Sequence, residues 1–194
     1  MANVDAPFGL RPIRMRGGAP YNGAVNKYEI KSDLNAALYI GDPVIKTGTS
    51  NSRGMPYVQI ATLTASNAVT GVIVGWEGPP NTANLEQQYS VALNKSIALV
   101  CDDPDVVFLI KDDASAVPAV TDVGTNAYMS NTDGGSTTTG LSGVELNLTT
   151  PATTSTYQLK ILRLYDVEGN DIAINAIWEV IINNHTEAHG TDGI

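Results

Sequence analysis

The chain has 194 residues, 43% of them hydrophobic and only 16% charged, with a net charge of −9. That length favours one domain, and at this size roughly 70% of the unfolded surface is buried on folding, enough for a real core. So acidic a chain is poorly suited to wrapping nucleic acid, itself a polyanion, and no segment approaches the roughly 18 apolar residues of a membrane-spanning helix.

Residues 1–25 read as an extended N-terminal arm. Pro7, Pro12 and Pro20 remove backbone donors and hold the residues before them extended. The charge is uneven. Residues 1–31 carry Arg11, Arg14, Arg16, Lys27 and Lys31 against Asp5 and Glu29, a balance of +3, and residues 32–194 carry −12. Such a segment orders only against a partner surface or the body. Phe8, Leu10, Ile13, Met15 and Tyr21 are the side chains expected to dock, with Arg11, Arg14 and Arg16 supplying charge. A separable arm predicts that a chain lacking residues 1–20 keeps its body folded.

Residues 26–183 read as a β body. Alternation at 26–31 places Tyr28 and Ile30 on one face. Short strands follow at 37–40 and 44–46 around the turn Gly41-Asp42-Pro43. Residues 47–56 read as a surface loop, 57–61 as a strand, and 69–77 as the strongest strand of the first half. One helical turn is expected at 83–88. Short apolar strands follow at 89–93, 97–101, 106–110 and 126–130. Residues 131–143 are rich in Gly, Ser and Thr and read as a loop. Alternation returns at 144–148, with Val144, Leu146 and Leu148 inward. It continues through 156–165, with Lys160 and Arg163 outward, and 176–183. Residues 184–194 read as a polar tail. Ten or eleven short strands without a convincing helix predict an all-β fold. The expected body is an antiparallel β-sandwich, jelly-roll-like, or a small β-barrel.

No catalytic constellation emerges, and neither a cofactor nor a metal is expected. Asp102, Asp103 and Asp105, with Asp112 and Asp113 behind them, have the density of calcium ligands. They lack the glycine and distal glutamate of a calcium loop, so solvated turn carboxylates are the preferred reading. His185 and His189 flank Glu187 at a spacing that shares a face only in a helix, and a polar end or an assembly contact is preferred over zinc. Cys101 lies in an apolar run and reads as a buried small side chain. Trp76 and Trp178 read as packing residues rather than sugar platforms. There is no secretory signal, which points to synthesis in the cytoplasm of the producing cell.

The opening Ala-Pro-Phe-Gly-Leu-Arg-Pro-Ile-Arg, then Gly-Gly-Ala-Pro-Tyr-Asn-Gly, a Tyr-x-Ile strand and Gly-Asp-Pro-Val together resemble a group of tailed-bacteriophage head decoration, or cement, proteins. Val-Gly-Trp-Glu-Gly and the ending with a histidine and Gly-x-x-Gly-Ile are similar too. The resemblance implies a virion structural protein on the capsid exterior, bound to the major capsid protein and stabilising contacts between its subunits. It implies a homo-oligomer, a dimer or trimer, with no direct contact to nucleic acid or membrane. Another tail, fibre or minor head component is the alternative, as is a β-rich carbohydrate- or peptide-binding module.

Overall fold

The computed structural model describes residues 3–63, 67–78, 80, 88–131 and 134–188. Eleven strands and one short 3-10 turn (Val120–Asp122) are found among them. In chain order the strands are β1 (Arg11–Met15), β2 (Asn26–Ile30), β3 (Pro43–Ser50), β4 (Pro56–Ile60), β5 (Gly71–Trp76) and β6 (Ser96–Cys101). After them come β7 (Val106–Lys111), β8 (Asn126–Ser130), β9 (Glu145–Ala152), β10 (Leu159–Leu164) and β11 (Ile177–Ile182). The all-β expectation holds. The helical turn expected at 83–88 falls almost wholly outside the described residues.

The strands form two sheets. β2-β4-β3-β5-β6 close into a five-stranded barrel, antiparallel except for the β2–β4 pair. The second sheet has the order β1-β7-β11-β10-β8-β9. Its flanks approach through an isolated parallel bridge from Asp112, just past β7, to Leu146 of β9.

Each sheet encloses apolar side chains set by strand alternation. Tyr28, Ile30, Leu38, Val44, Val58, Ile73, Ala98 and Val100 fill the small barrel. Phe108, Ile110, Met129, Leu146, Leu159, Ile161, Trp178 and Val180 fill the larger sheet. Val69, Val72 and Cys101 join that second cluster from the small barrel, so the two sheets share an interior. Burial pushes the Cys101 thiol up to about 11, which makes it inert packing at neutral pH.

The N-terminal segment crosses the small barrel at Gly41. Leu10 N donates to Gly41 O at 3.0 Å. Gly9 and Gly41 both have positive φ, +69° and +97°. A Cβ on Gly9 would lie 2.5 Å from Gly41 O, and one on Gly41 would lie 2.5 Å from Phe8 O. Only glycine fits at either position, for space and for backbone conformation.

Asp42 sits at this crossing, 1% exposed. Its Oδ2 accepts from Tyr39 N at 2.8 Å, while Oδ1 is buried with no hydrogen-bond partner. Burial pushes the carboxyl up to about 6, against smaller pulls from the Ser142 hydroxyl and the Tyr39 N–H. The ionised form is therefore penalised, by about 3 kcal/mol at neutral pH. The favourable, protonated state is complete below the ordinary carboxylate pKa and is lost as pH rises through about 6. Asp42→Asn is expected to melt higher than the parent at neutral pH, and the gap should close near about pH 4. Melts of both proteins across this range check it, and a gap that does not change with pH contradicts it.

Two expected strands are absent. Residues 37–40 and 89–93 form no strand, and meet through the isolated bridge Leu38–Ser90 and the stacked rings of Tyr39 and Tyr89. Leu93 has φ +59°, a left-handed conformation that no strand continues through.

Candidate docking surface

Residues 11–15, the centre of the expected arm, are strand β1 in the larger sheet. β1 pairs antiparallel with β7, with Arg11 opposite Leu109 and Arg14 opposite Val107. The pairing slips between Pro12 and Arg14, a bulge that keeps both arginines on the outer face. A flank position tolerates Pro12, which has no N–H to give to a ladder. Further upstream, the side chain of Asn3 donates to the carbonyls of Asp171, Ala173 and Ile174 at 3.1–3.3 Å. The buried Lys111 amine donates to Val4 O and, at 2.9 Å, to Asn175 O. The segment is thus tied to the body along its length.

The eight residues expected to dock divide sharply. Leu10 is 2% exposed and belongs to the core. Met15 and Tyr21 pack against that core. Ile13 sits at the bulge, half-buried. Leu10, Met15 and Tyr21 thus serve this chain's own fold, Met15 because its place opposite Val106 in the β1–β7 pair turns it toward the core. Phe8 is half-buried with the Arg11 guanidinium 4.8 Å over its ring. Arg16 lies elsewhere, 4.0 Å from Asp105 with both side chains 66% exposed, a surface pair of little energetic weight.

Arg11 and Arg14 end up on the outer face of the larger sheet, opposite Leu109 and Val107 of β7. One row across four strands reads Arg11 on β1, Leu109 on β7, Glu179 on β11 and Arg163 on β10. Strands about 4.8 Å apart make such a row about 14 Å wide. Beside it, Arg14 stands opposite Val107, and Lys160 stands opposite Ile181. Glu179 is the anchor. Its Oε2 accepts from Arg14 Nη2 at 2.6 Å and its Oε1 from Arg163 Nη2 at 2.8 Å. Burial raises the Glu179 carboxyl, but hydrogen bonds from Arg163 and Arg14 outweigh it and hold the group below the usual range. One carboxylate thus faces two guanidiniums, and with Arg11 and Lys160 the patch is net positive on a chain of net charge −9. The aliphatic stems of such side chains cover apolar sheet beneath them, which fits Val107 at 0% and Leu109 at 7% exposure on this outer face.

Lys160 and Arg163 are legible in the sequence as outward-facing. Their meeting with Arg11 and Arg14 is not, because it depends on β1 pairing with β7.

The other candidates are structural. Asp102 accepts from Tyr28 Oη at 2.6 Å and from Asn26 Nδ2 at 3.0 Å. Asp103 Oδ1 accepts from Asp105 N at 2.8 Å, an Asx turn. Among the described residues no three His, Cys, Asp or Glu side chains are grouped to hold a metal. Trp178 is fully buried and cannot offer a face to a sugar. Trp76 Nε1 donates to Gln88 O at 3.1 Å. His185 is 2% exposed rather than part of a free polar tail, and His189 lies outside the described residues.

No protein-family model, no curated protein and no solved structure matches this chain.

Proposed function

We propose that this protein is a virion structural protein that decorates the outside of a phage head and cements contacts between major capsid protein subunits. The observation that carries a docking role is the basic outer face of the larger sheet, presented by a protein that is otherwise acidic. The phage setting rests on the resemblance of the N-terminal strings and of the Gly-Asp-Pro-Val corner. Arginine suits this role, since its planar fork pairs bidentately with carboxylates. A rigid sheet also presents these groups without the ordering cost of a loose arm. The partner surface this reading requires is carboxylate-rich.

The test is binding to purified heads lacking the protein. Arg11→Glu combined with Lys160→Glu changes two exposed side chains and is expected to leave the fold intact. Association should weaken by roughly tenfold or more at low salt, and the difference should shrink as salt rises. Equal binding of parent and variant at low salt removes this face from the account. Failure of the parent to bind any head removes the capsid reading itself.

A further inference from the structure

Residues 183–187 carry a device that the docking role does not use. After β11 of the larger sheet, Asn183 N donates to Gln158 O at 2.7 Å. The chain then leaves that sheet and pairs with the small barrel. Val69 N donates to Asn184 O at 2.9 Å and Thr186 N donates to Val69 O at 3.0 Å, forming a parallel bridge between Val69 and His185. Thr186 Oγ1 donates to Thr70 Oγ1 at 2.8 Å, and Thr70 Oγ1 also accepts from Lys46 N at 3.1 Å. The Lys46 amine reaches Glu187 Oε1 at 2.5 Å. This short segment therefore ties the end of the larger sheet to β3 and to the residues entering β5.

His185 is the buried centre of the tie. Its Nδ1 accepts from Glu187 N at 2.9 Å, which places the proton of the neutral ring on Nε2. Nε2 is buried with no hydrogen-bond partner. Protonation would put an N–H on Nδ1 facing the Glu187 N–H, so a hydrogen bond would become a clash of two donors. It would also leave a charged ring 2% exposed with nothing to accept from Nε2.

We propose that residues 183–187 are an acid-released clasp between the two sheets, with His185 as its pin. The charged groups around the ring are Glu187, Asp102 and Asp103, which favour its protonation, and Lys46, which opposes it. Burial outweighs the carboxylates and holds the imidazole below its ordinary value. The clasp is therefore intact above the ordinary histidine pKa. Its opening becomes easier as pH falls through that value, because the opened form takes up the proton more readily.

Amide hydrogen exchange, read as protection relative to intrinsic rates, tests this. Between about pH 7.5 and about pH 5 the Thr186 and Glu187 amides should lose protection by roughly fivefold or more, while Val180 to Ile182 in β11 keep theirs. His185→Gln, which cannot titrate, should abolish that pH dependence with β11 protection unchanged. Constant protection of residues 186–187 in the parent overturns the proposal, as does the same loss in the Gln variant. Should the Gln variant not fold, the parent's imidazole titration followed by NMR decides. The Glu187 amide must respond together with the ring, and a ring that titrates while that amide stays protected overturns the clasp.

Discussion

A chain lacking residues 1–15 is expected to lose most of its folding stability. Three losses coincide. Leu10 leaves the larger core and Met15 leaves its place against it, and full burial of one side chain such as Leu10 contributes about 1.5–3 kcal/mol. The β1–β7 ladder disappears, which uncovers Val107 and Leu109 and leaves β7 as a raw sheet edge. Glu179 keeps Arg163 but loses Arg14, so a nearly buried carboxylate is left half-paired. A domain of this size is typically stable by about 5–15 kcal/mol, so the combined loss is a large part of the whole. Denaturant unfolding and far-ultraviolet circular dichroism check it. A truncated chain that unfolds cooperatively at nearly the parent's midpoint would restore the reading of a separable arm. Leu10→Ala alone is expected to cost about 2–5 kcal/mol, the range for emptying a buried leucine site.

Asp112→Ala should be nearly as damaging. Asp112 is 1% exposed and its carboxylate gathers four donors. Oδ1 accepts from Ala114 N at 3.1 Å and Asn175 N at 2.8 Å. Oδ2 accepts from Ala176 N at 2.7 Å and from Trp178 Nε1 at 3.3 Å. Truncation leaves three backbone N–H groups and an indole N–H without acceptors in a dry site, each costing about 1–3 kcal/mol. Part of this is offset, because burial already penalises the Asp112 charge and raises its carboxyl above the ordinary value despite those donors. The net expectation is a loss of about 4 kcal/mol. Asp112→Asn should recover only part of it, since an amide nitrogen would face donors. Unfolding curves followed by tryptophan fluorescence measure both variants. A loss under about 1 kcal/mol for the alanine variant would mean that water or a rearranged loop satisfies the donors.

Much of the fold was legible where one face of a strand is buried. Tyr28 and Ile30 alternate, as do Leu146 and Leu148, and these runs became β2 and β9 with those side chains inward. β1 was not legible. Arg-Pro-Ile-Arg-Met contains a proline and does not alternate, because the bulge after Pro12 absorbs one residue of the period. The strand exists because β7 supplies a partner about a hundred residues later. His185 was misleading for a related reason. Its neighbours are polar, so the sequence reads as a tail, while pairing with the distant Val69 holds His185 in a buried place, 2% exposed. Asp112 looked like one of a group of possible metal ligands, and its role as an acceptor depends on the loop before β11 folding back onto it.

The docking face follows the same division. Alternation in the sequence determined that Lys160 and Arg163 point outward, and composition determined that Arg11 and Arg14 are basic residues on an acidic chain. Local pattern can decide which face of its own strand a side chain occupies, since successive residues point to opposite sides. It cannot decide which strands become neighbours, because that depends on contacts between residues distant in sequence. The tertiary structure made one row of Arg11, Leu109, Glu179 and Arg163, and it put Leu10 into the core with Met15 and Tyr21 packed against it. Burying them against β7 and the larger sheet removes apolar surface from water, which a loose arm would leave exposed.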